Sequence, residues 1–438
     1  MIFLFWGALL GAFFLLFYLG RRGWPLWARV LVGLGLGGLA GILFGEIAAT
    51  AKPLGDGFIK LIRMLIMPLI LTTLASGMIA LGDPKRLGSL GARTIGLYLA
   101  TTSVAVFVGI FFAIIFQPGI GVDYANVSDT GAITSRLADA QQAERTAVQQ
   151  ILDVIPANPF AALTNGDILP VIFFAIVLGI ATLAAGEKGL PFARGLESAA
   201  DVVLLLTQGV MALAPYGVFA LMAWVLGTQG LSVLINLGKL TIALYLACIV
   251  HIAVVYGGLI TFVARLNYPR FLKGILDAMS TAYSTASSSA TLPVTIGNLT
   301  NNIGVSRAVA GSVAPLGATI NMDGTSIYLG IVSIFAAQAV GLDLDAADYV
   351  AIAVTATAAS IGAAGIPSAS LFLAIAVLTS FGVTSEQAIL IIALIFPFDR
   401  LLDMMRTVTN VTGDAAVATT VARWEGELDE TVLARSPR

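Results

Sequence analysis

The sequence predicts an all-α polytopic membrane protein with two re-entrant helical hairpins and an inverted repeat. Three observations favour this fold class. Of the 438 residues, 58% are hydrophobic and only 11% are charged, whereas soluble domains average about 25% charged residues. Long windows carry no charge at all, and two of them are interrupted by Ser, Thr, Gly and Pro. The composition therefore excludes an ordinary soluble enzyme. A net charge of −2 without a basic tract also argues against nucleic acid as a partner.

The chemistry of an intramembrane enzyme is not indicated either. The single cysteine, Cys248, excludes an internal disulfide, and the single histidine, His251, excludes a His-rich metal site. The sequence contains neither H-E-x-x-H nor G-x-S-x-G. His251 lies alone in an apolar window, where a packing role is the expected one. We therefore predict a protein that is not an enzyme and has no cofactor.

Uncharged windows locate the spans, since about 20 apolar residues cross a bilayer. Residues 1–22 predict an extra N-terminal transmembrane helix. Its positive charges, Arg21 and Arg22, follow the apolar stretch, whereas those of a cleaved signal peptide precede it. The further windows are 30–45, 64–82, 94–122, 168–186, 202–238, 240–264, 278–306, 324–342 and 349–385.

Glycines recur once per helical turn in the second window, at Gly33, Gly37, Gly41 and Gly45. Small residues on one face let two membrane helices approach closely. The same stretch satisfies G-x-G-x-x-G, but no strand precedes it, so nucleotide binding is not expected. We predict a helix-packing face.

The flanking charges predict an orientation. Basic clusters lie in short connections around 85–93, 188–194 and 265–273, while 123–153 and 343–348 are acidic. The positive-inside rule places the basic clusters and the tail 425–438 in the cytoplasm. The N-terminus is then outside, and the expected location is the inner membrane of a bacterial cell.

Two windows do not read as simple spans. Residues 280–295 contain nine Ser or Thr and a proline, with cytoplasmic charges on both sides. Residues 349–385 are interrupted by Gly362, Gly365 and Pro367, with external charges on both sides. A segment that enters and leaves by one face is a re-entrant hairpin, whose irregular tip must be enclosed by protein or a water-filled cavity. The tips are expected to meet near the midplane.

Each hairpin is followed by a polar string that predicts a break in the next helix. The first string is Asn321-Met-Asp-Gly-Thr325, and the second is Asn410-Val-Thr-Gly-Asp414. Hairpin plus helix, twice, with opposite entry sides, is an inverted repeat. This arrangement is typical of secondary transporters whose sites are built from discontinuous helices.

The last predicted helix carries a narrow polar stripe, roughly 80–100° wide at the helical period. Arg406 offers a planar fork suited to a carboxylate, and Asp403 could pair with an amino group. Asp414 and Asp323 are hard oxygen donors for an alkali cation. An alternative is a purely structural Asp403–Arg406 pair. The stripe consists of Asp399, Asp403, Arg406, Thr407, Asn410 and Asp414, with Arg400 at its edge.

Over roughly residues 28–424, the chain resembles the sodium- or proton-coupled dicarboxylate/amino-acid symporters, the glutamate transporter family. Four strings in the right order carry the resemblance: Ser287–Pro293, Asn321–Thr325, Gly365–Pro367 and Asp403–Asp414.

The resemblance implies the glutamate-transporter fold and a homotrimer whose subunits move a transport domain like an elevator. The implied organisation is the extra helix 1–22, then 28–268 with the scaffold and trimerisation helices and some transport helices, among them 94–122. The core transport domain is then 269–424, with two hairpins and the seventh and eighth family helices, and 425–438 is a cytoplasmic tail.

The resemblance also implies residue roles. Substrate contacts are expected from Ser288, Met322, Thr325, Ile366, Asp403, Arg406, Thr407 and Asn410. A first sodium site would use Asn321, Asn410, Asp414 and the carbonyl of Gly317. A second would use Tyr98, Thr101, Thr102, Asn321 and Asp323. Carbonyls of Thr319, Ser360, Ile361 and Ala363 would form a third.

The implied function is symport of acidic amino acids, L-glutamate or L-aspartate, with sodium or protons. Family members for acidic amino acids usually carry a second arginine, at places here occupied by Ala286 and Met404. Arg400 is a candidate substitute. Alternatives are a C4-dicarboxylate or cystine symporter of the same fold and, in another class, an anion-conducting channel. A channel would need a continuous polar pore, whereas the polar residues here concentrate at one depth.

Overall fold

The chain folds almost entirely into helices. A computed structural model describes residues 1–80, 84–122, 155–165, 168–230, 232–361 and 369–435. The first half contains α1 (Ile2–Arg21), α2 (Leu26–Phe44), α3 (Lys52–Ala80), α4 (Pro84–Phe116), α5 (Pro159–Asn165), α6 (Ile168–Ala184), α7 (Leu190–Met211), α8 (Ala214–Gln229) and α9 (Ser232–Val250). The second half contains α10 (Tyr268–Gly274), α11 (Leu276–Thr285), α12 (Ser288–Asn298), α13 (Arg307–Ile320), α14 (Asp323–Val340), α15 (Ala346–Ser360), α16 (Ala369–Thr379), α17 (Ser385–Glu425) and α18 (Glu430–Arg435).

Short 3-10 segments at Gly45–Ala51 and Gly186–Gly189 and π-helical segments at His251–Tyr256, Leu259–Val263 and Leu299–Ile303 extend the neighbouring helices. No strand occurs among these residues, which confirms the predicted all-α class.

Five continuous helical segments within these ranges are long and apolar enough to cross a membrane, and residues 2–21 form the first of them. Their outward side chains include Phe3 and Phe262, which are 90% and 79% exposed, as expected of surfaces that face lipid. The uncharged window 202–238 does not form one continuous helix. It breaks after Met211, and α8 ends at Gln229, where Gly230 takes a positive φ of 70°.

The glycine face of α2 packs against the backbone of α8 through Gly33, Gly37 and Gly41, as predicted, whereas Gly45 lies beyond the end of α2 with φ 54°. A Cβ at Gly33, Gly37 or Gly41 would collide with the carbonyl oxygens of Pro215, Phe219 and Ala223, respectively. The close approach follows from the missing side chains, because any larger residue would separate the two helices. Helix α1 packs against the same pair through its buried Phe5 and Leu9.

Each predicted hairpin is present as a pair of short helices that pack against each other. Hairpin 1 is α11 and α12, of 10 and 11 residues, and hairpin 2 is α15 and α16, of 15 and 11 residues. None reaches the roughly 20 residues needed to cross a bilayer. The tip of hairpin 2, including Ala363 and Ile366, lies outside the described residues. At the tip of hairpin 1, Ala286 adopts φ 49° and Ser287 caps α12 by accepting a bond from the amide of Ala290.

Only one of the two predicted helix breaks occurs. Asn321 and Met322 interrupt the helix between α13 and α14, whereas α17 runs without interruption through residues 410–414. The second prediction was wrong because the polar side chains there bond without unwinding the backbone. Thr412 donates to the carbonyl of Val408 at 2.7 Å, and Asn410 reaches across to α14.

The chain after α17 folds back on the loop that follows hairpin 1. The amide of Ser306 donates to the carbonyl of Glu427 at 2.9 Å, and that of Asp429 donates to the carbonyl of Gly304 at 2.8 Å. Leu433 is buried in the adjoining core. The start of the predicted tail is therefore packed against the helical core.

The α2–α8 contact makes a testable prediction. Replacing Gly37 by valine would bring its Cβ to 2.8 Å from the Cα of Phe219 and into collision with that residue's carbonyl oxygen. We expect the free energy of unfolding to fall by about 1–3 kcal/mol, because overpacking forces the backbones apart. Thermal unfolding in detergent measures the effect. Gly35→Val is the matched control, since nothing lies within 4 Å of a Cβ there. Equal melting temperatures for the two variants would contradict the packing role.

Candidate functional site

An ionic cluster occupies the middle of α17. The Nη2 atom of Arg406 donates to Asp399 Oδ1 at 2.8 Å and pairs with Asp403 Oδ1 at 3.0 Å. The guanidinium carbon lies 4.2 Å from the centroid of the Tyr328 ring, a cation–π contact. Arg406 is fully buried, and its Nε and Nη1 atoms have no hydrogen-bond partner among the described residues. The guanidinium group of Arg406 is thus held in place by its contacts, and its Nε and Nη1 atoms remain available as hydrogen-bond donors.

The start of α14 meets this cluster through Asn410. The side-chain oxygen of Asn410 accepts from the amide of Gly324 at 2.7 Å, and its nitrogen donates to the sulfur of Met322 at 3.1 Å. A Cβ at Gly324 would collide with the backbone carbonyl of Arg406. The glycine therefore allows the first turn of α14, which also holds the buried Thr325, to lie directly against α17.

A carboxylate–amide pair links the helix break to α17 one turn further along. The Nδ2 atom of Asn321 donates to Asp414 Oδ1 at 3.0 Å and to the carbonyl of Asn410 at 3.4 Å. A Cβ at Gly317 would lie 2.6 Å from both the carboxyl carbon of Asp414 and the hydroxyl of Tyr98. Asn321, Asn410, Asp414 and Gly317 are thus brought together as the first predicted sodium site requires.

A second buried carboxylate, Asp323, accepts from two side chains and contacts a third. Thr102 Oγ1 donates to Oδ1 at 2.6 Å, and the Tyr256 hydroxyl donates to Oδ2 at 2.7 Å. His251 Nε2 lies 3.1 Å from the same Oδ2. Thr101 Oγ1 lies 3.4 Å from the side-chain oxygen of Asn321. Thr101, Thr102, Asn321 and Asp323 are therefore neighbours, and Asn321 joins this site to the first. The hydroxyl of Tyr98, the fifth predicted member, donates to the carbonyl of Val313 at 3.0 Å.

The remaining predicted residues are Ser288, Thr407, Ile366 and the members of the third sodium site. Ser288 is buried in the first turn of α12, and Thr407 Oγ1 donates to the carbonyl of Asp403 at 2.9 Å. Thr319 and Ser360 use their hydroxyls on carbonyls of their own helices. The third predicted site uses backbone carbonyls, on which these hydroxyl contacts do not bear, so it stays a prediction. Ala363 and Ile366 lie outside the described residues.

Sequence reasoning missed His251 and Tyr256 as members of the site. It treated the histidine as a packing residue in an apolar window, whereas both side chains point at Asp323. A lone histidine and a tyrosine five residues later carry no periodic signal of their own. The π-helical turn His251–Tyr256, which brings both to the same carboxylate, is not visible in the sequence.

The arrangement combines two kinds of recognition. Arg406 and Asp403 offer opposite charges for a substrate that carries a carboxylate and an amino group. Asp414, Asp323 and the amide and hydroxyl oxygens around them are hard donors suited to a sodium ion. Within the described part of the chain, both groups are held on α17 and on the broken helix α13–α14.

The comparisons with known proteins agree with this chemistry. Residues 26–424 match the model of the sodium:dicarboxylate symporter family. A proton/sodium-glutamate symport protein of Geobacillus stearothermophilus is 34% identical over 405 residues, which cover 92% of this chain and 95% of the relative. A C4-dicarboxylate transport protein of Sphingopyxis alaskensis is 36% identical over 420 residues, covering 95% and 92%. A proton/glutamate-aspartate symporter of Bacillus subtilis is 32% identical over 402 residues, covering 91% and 94%.

The Asp323 network predicts a stability difference between two buried tyrosines. Tyr256→Phe removes a hydrogen bond to a carboxylate, so the free energy of unfolding should fall by about 1.5–3 kcal/mol. Tyr328→Phe is the matched control, because its hydroxyl is also buried but donates no hydrogen bond to a carboxylate among the described residues. Thermal unfolding of the purified variants compares the two. If Tyr328→Phe were the more destabilising change, the assigned network would be wrong.

Proposed function

Because the chain belongs to the sodium:dicarboxylate symporter family, we propose that it is a secondary active symporter that imports L-glutamate or L-aspartate together with sodium or protons. The observation that carries this proposal is the buried Arg406, held between Asp399 and Asp403 with two donor nitrogens free of partners among the described residues. Such a residue is expensive to place in a membrane and is typical of a substrate pathway.

Substrate recognition would divide between the two charges of the cluster. Arg406 Nε and Nη1 would donate to the distal carboxylate, and Asp403 would turn from Arg406 to the substrate ammonium group. Asn410, Thr325 and Ser288 would supply polar contacts around the rest of the molecule. A C4-dicarboxylate is the second candidate, since relatives named for that activity match the chain equally well. Asp403 favours an amino acid over a C4-dicarboxylate, because a C4-dicarboxylate has no ammonium group that could pair with the Asp403 carboxylate.

Cation coupling would use Asp414 and Asp323. A sodium ion or proton at either carboxylate would lower the negative charge beside the substrate site and fix Asn321. Only a fully loaded transport domain, residues 269–424 with helices such as 94–122, would then cross the membrane against the scaffold. We place the protein as a homotrimer in the inner membrane, with its N-terminus outside and residues 425–438 in the cytoplasm.

The function is tested by L-aspartate uptake into proteoliposomes. An inward sodium gradient and an inward proton gradient are applied in turn, with excess L-glutamate, succinate or L-cystine as competitors. Uptake driven by sodium and blocked by glutamate is the expected result. Uptake driven only by protons would leave the substrate in place and make one carboxylate a proton carrier. Transport of succinate or cystine in place of aspartate would overturn the substrate assignment.

Arg406→Cys should cost roughly 2–5 kcal/mol of affinity for acidic amino acids, since it leaves a substrate carboxylate unpaired in a buried site. Binding of neutral amino acids should be spared. Competition against labelled aspartate in proteoliposomes measures both effects. Arg423→Cys is the matched control on the same helix, where the arginine pairs with the exposed Glu430. Unchanged aspartate affinity in Arg406→Cys would remove this residue from the substrate site.

Asp414→Asn keeps an oxygen that can accept the bond from Asn321 but removes the charge. The cation concentration needed for half-maximal uptake should rise about tenfold or more, a loss of at least about 1.4 kcal/mol in cation affinity. Uptake rates over a series of sodium or proton gradients provide the measurement. Asp343→Asn, an exposed carboxylate between α14 and α15, is the control. A cation dependence equal in both variants would exclude Asp414 as a coupling site.

A further inference from the structure

Arg400 is a buried cation that the preceding roles do not explain. It follows Asp399 directly on α17 and is only 8% exposed. Its Nη2 atom donates to the carbonyl of Thr285 at 3.1 Å and lies 3.5 Å from that of Ser284, and its Nε is buried without a hydrogen-bond partner among the described residues. No ion pair within 4.0 Å joins Arg400 to a carboxylate in the described part of the chain. Asp399 and Asp403 are both paired with Arg406 instead.

The contacts of Arg400 place it at the tip of hairpin 1. Ser284 and Thr285 form the last turn of α11, where helix carbonyls have no partner inside the helix. Ala286 then turns the chain with φ 49°, and Ser288 begins α12. Arg400 therefore joins α17 to the hairpin at the point where a substrate contact, Ser288, is also expected.

The charge of Arg400 is only partly compensated by its surroundings. Two backbone carbonyls supply partial negative charge, and the carboxylates of Asp403 and Asp399 attract Arg400 electrostatically but make their ion pairs with Arg406. Asp399, Arg400, Asp403 and Arg406 carry no net charge as a group, yet both carboxylates form their ion pairs with Arg406. An incoming anion that binds near the hairpin tip would compensate the cation that lacks an ion pair.

We propose that Arg400 is a specificity-determining residue that binds the second carboxylate of the substrate. This inference rests on the proposed function. The site would then hold two guanidinium groups, Arg406 for the distal carboxylate and Arg400 for the carboxylate beside hairpin 1. Its substrate class is accordingly dicarboxylates, with Asp403 favouring those that carry an amino group. A substrate with a neutral group in place of either carboxylate would leave Arg406 or Arg400 without a carboxylate to bind.

The test crosses two arginine variants with two substrate analogues that each lack one carboxylate. L-asparagine lacks the distal carboxylate, and L-aspartic acid α-amide lacks the other. The wild-type protein should bind the α-amide about thirtyfold more weakly than L-aspartate. Arg400→Gln should weaken the binding of aspartate by a similar factor while leaving the affinity for the α-amide nearly unchanged. Arg406→Cys should weaken the binding of aspartate but leave the affinity for asparagine nearly unchanged. Competition against labelled aspartate in proteoliposomes measures each affinity.

A conservative variant and a control separate specificity from folding. Arg400→Lys keeps the charge and should restore aspartate affinity to within about fivefold of the wild type. Arg423→Gln, outside the site, should match the wild type throughout. If Arg400→Gln instead lowered the affinities for aspartate and both amides by one common factor, Arg400 would be only an anchor of the hairpin, and the inference would fall.

The wild-type protein supplies a test that needs no variant. Equal affinity for aspartate and its α-amide would overturn the inference even if Arg400→Gln failed to fold. In that case the proposed function would stand, provided that aspartate uptake and the effect of Arg406→Cys persisted. If the wild type took up no dicarboxylate of either kind, the proposed function itself would fail, so the two failures are distinguishable.

Discussion

The buried charges of α17 are the constraint on which the rest of the structure depends. Even on lenient scales, a charge at the bilayer centre costs about 3 kcal/mol, and α17 carries Asp399, Arg400, Asp403, Arg406 and Asp414, each no more than 8% exposed. Such a helix is stable only when other protein elements surround it. The elements that surround α17 include the broken helix α13–α14, hairpin 1 and α9. The more apolar helices α1 and α4 present apolar side chains outward.

The two halves of the repeat meet this constraint in different ways. In the first half the backbone itself opens at Asn321 and Met322, which frees polar groups at the start of α14. In the second half the backbone stays helical and side chains alone carry the polarity. Gly413 allows α17 to stay helical and still lie against the break, because a Cβ there would lie 2.5 Å from the side-chain nitrogen of Asn321. Without a side chain at position 413, α17 can approach Asn321 closely enough for its polar side chains to bond with it.

Sequence alone predicted the features that depend on composition and period. These include the glycine face around Gly37, the two hairpins and the inward stripe that contains Arg406. It did not predict that Asp399 shares Arg406 with Asp403, nor that His251 contacts Asp323. Those contacts join residues whose pairing is set by how α9, α14 and α17 pack, and no local pattern encodes that packing. The same limit explains the wrong break at 410–414, since a polar string looks alike whether its side chains bond to their own backbone or across to another helix.

The geometry also indicates how cation and substrate sites can influence each other. Asn321 donates to both the Asp414 carboxylate and the carbonyl of Asn410, and the Asn410 side chain in turn binds Gly324 and Met322. A cation bound at Asp414, as proposed, would meet Asn321 at the same carboxylate and change how its side chain is held. Because Asn321 also donates to the carbonyl of Asn410, that change would reach a residue that is expected to contact the substrate. The proposed coupling would therefore require no long pathway, because a short series of hydrogen bonds through Asn321 and Asn410 connects the two proposed sites. Its strength would depend on how differently Asn321 is held with and without the cation.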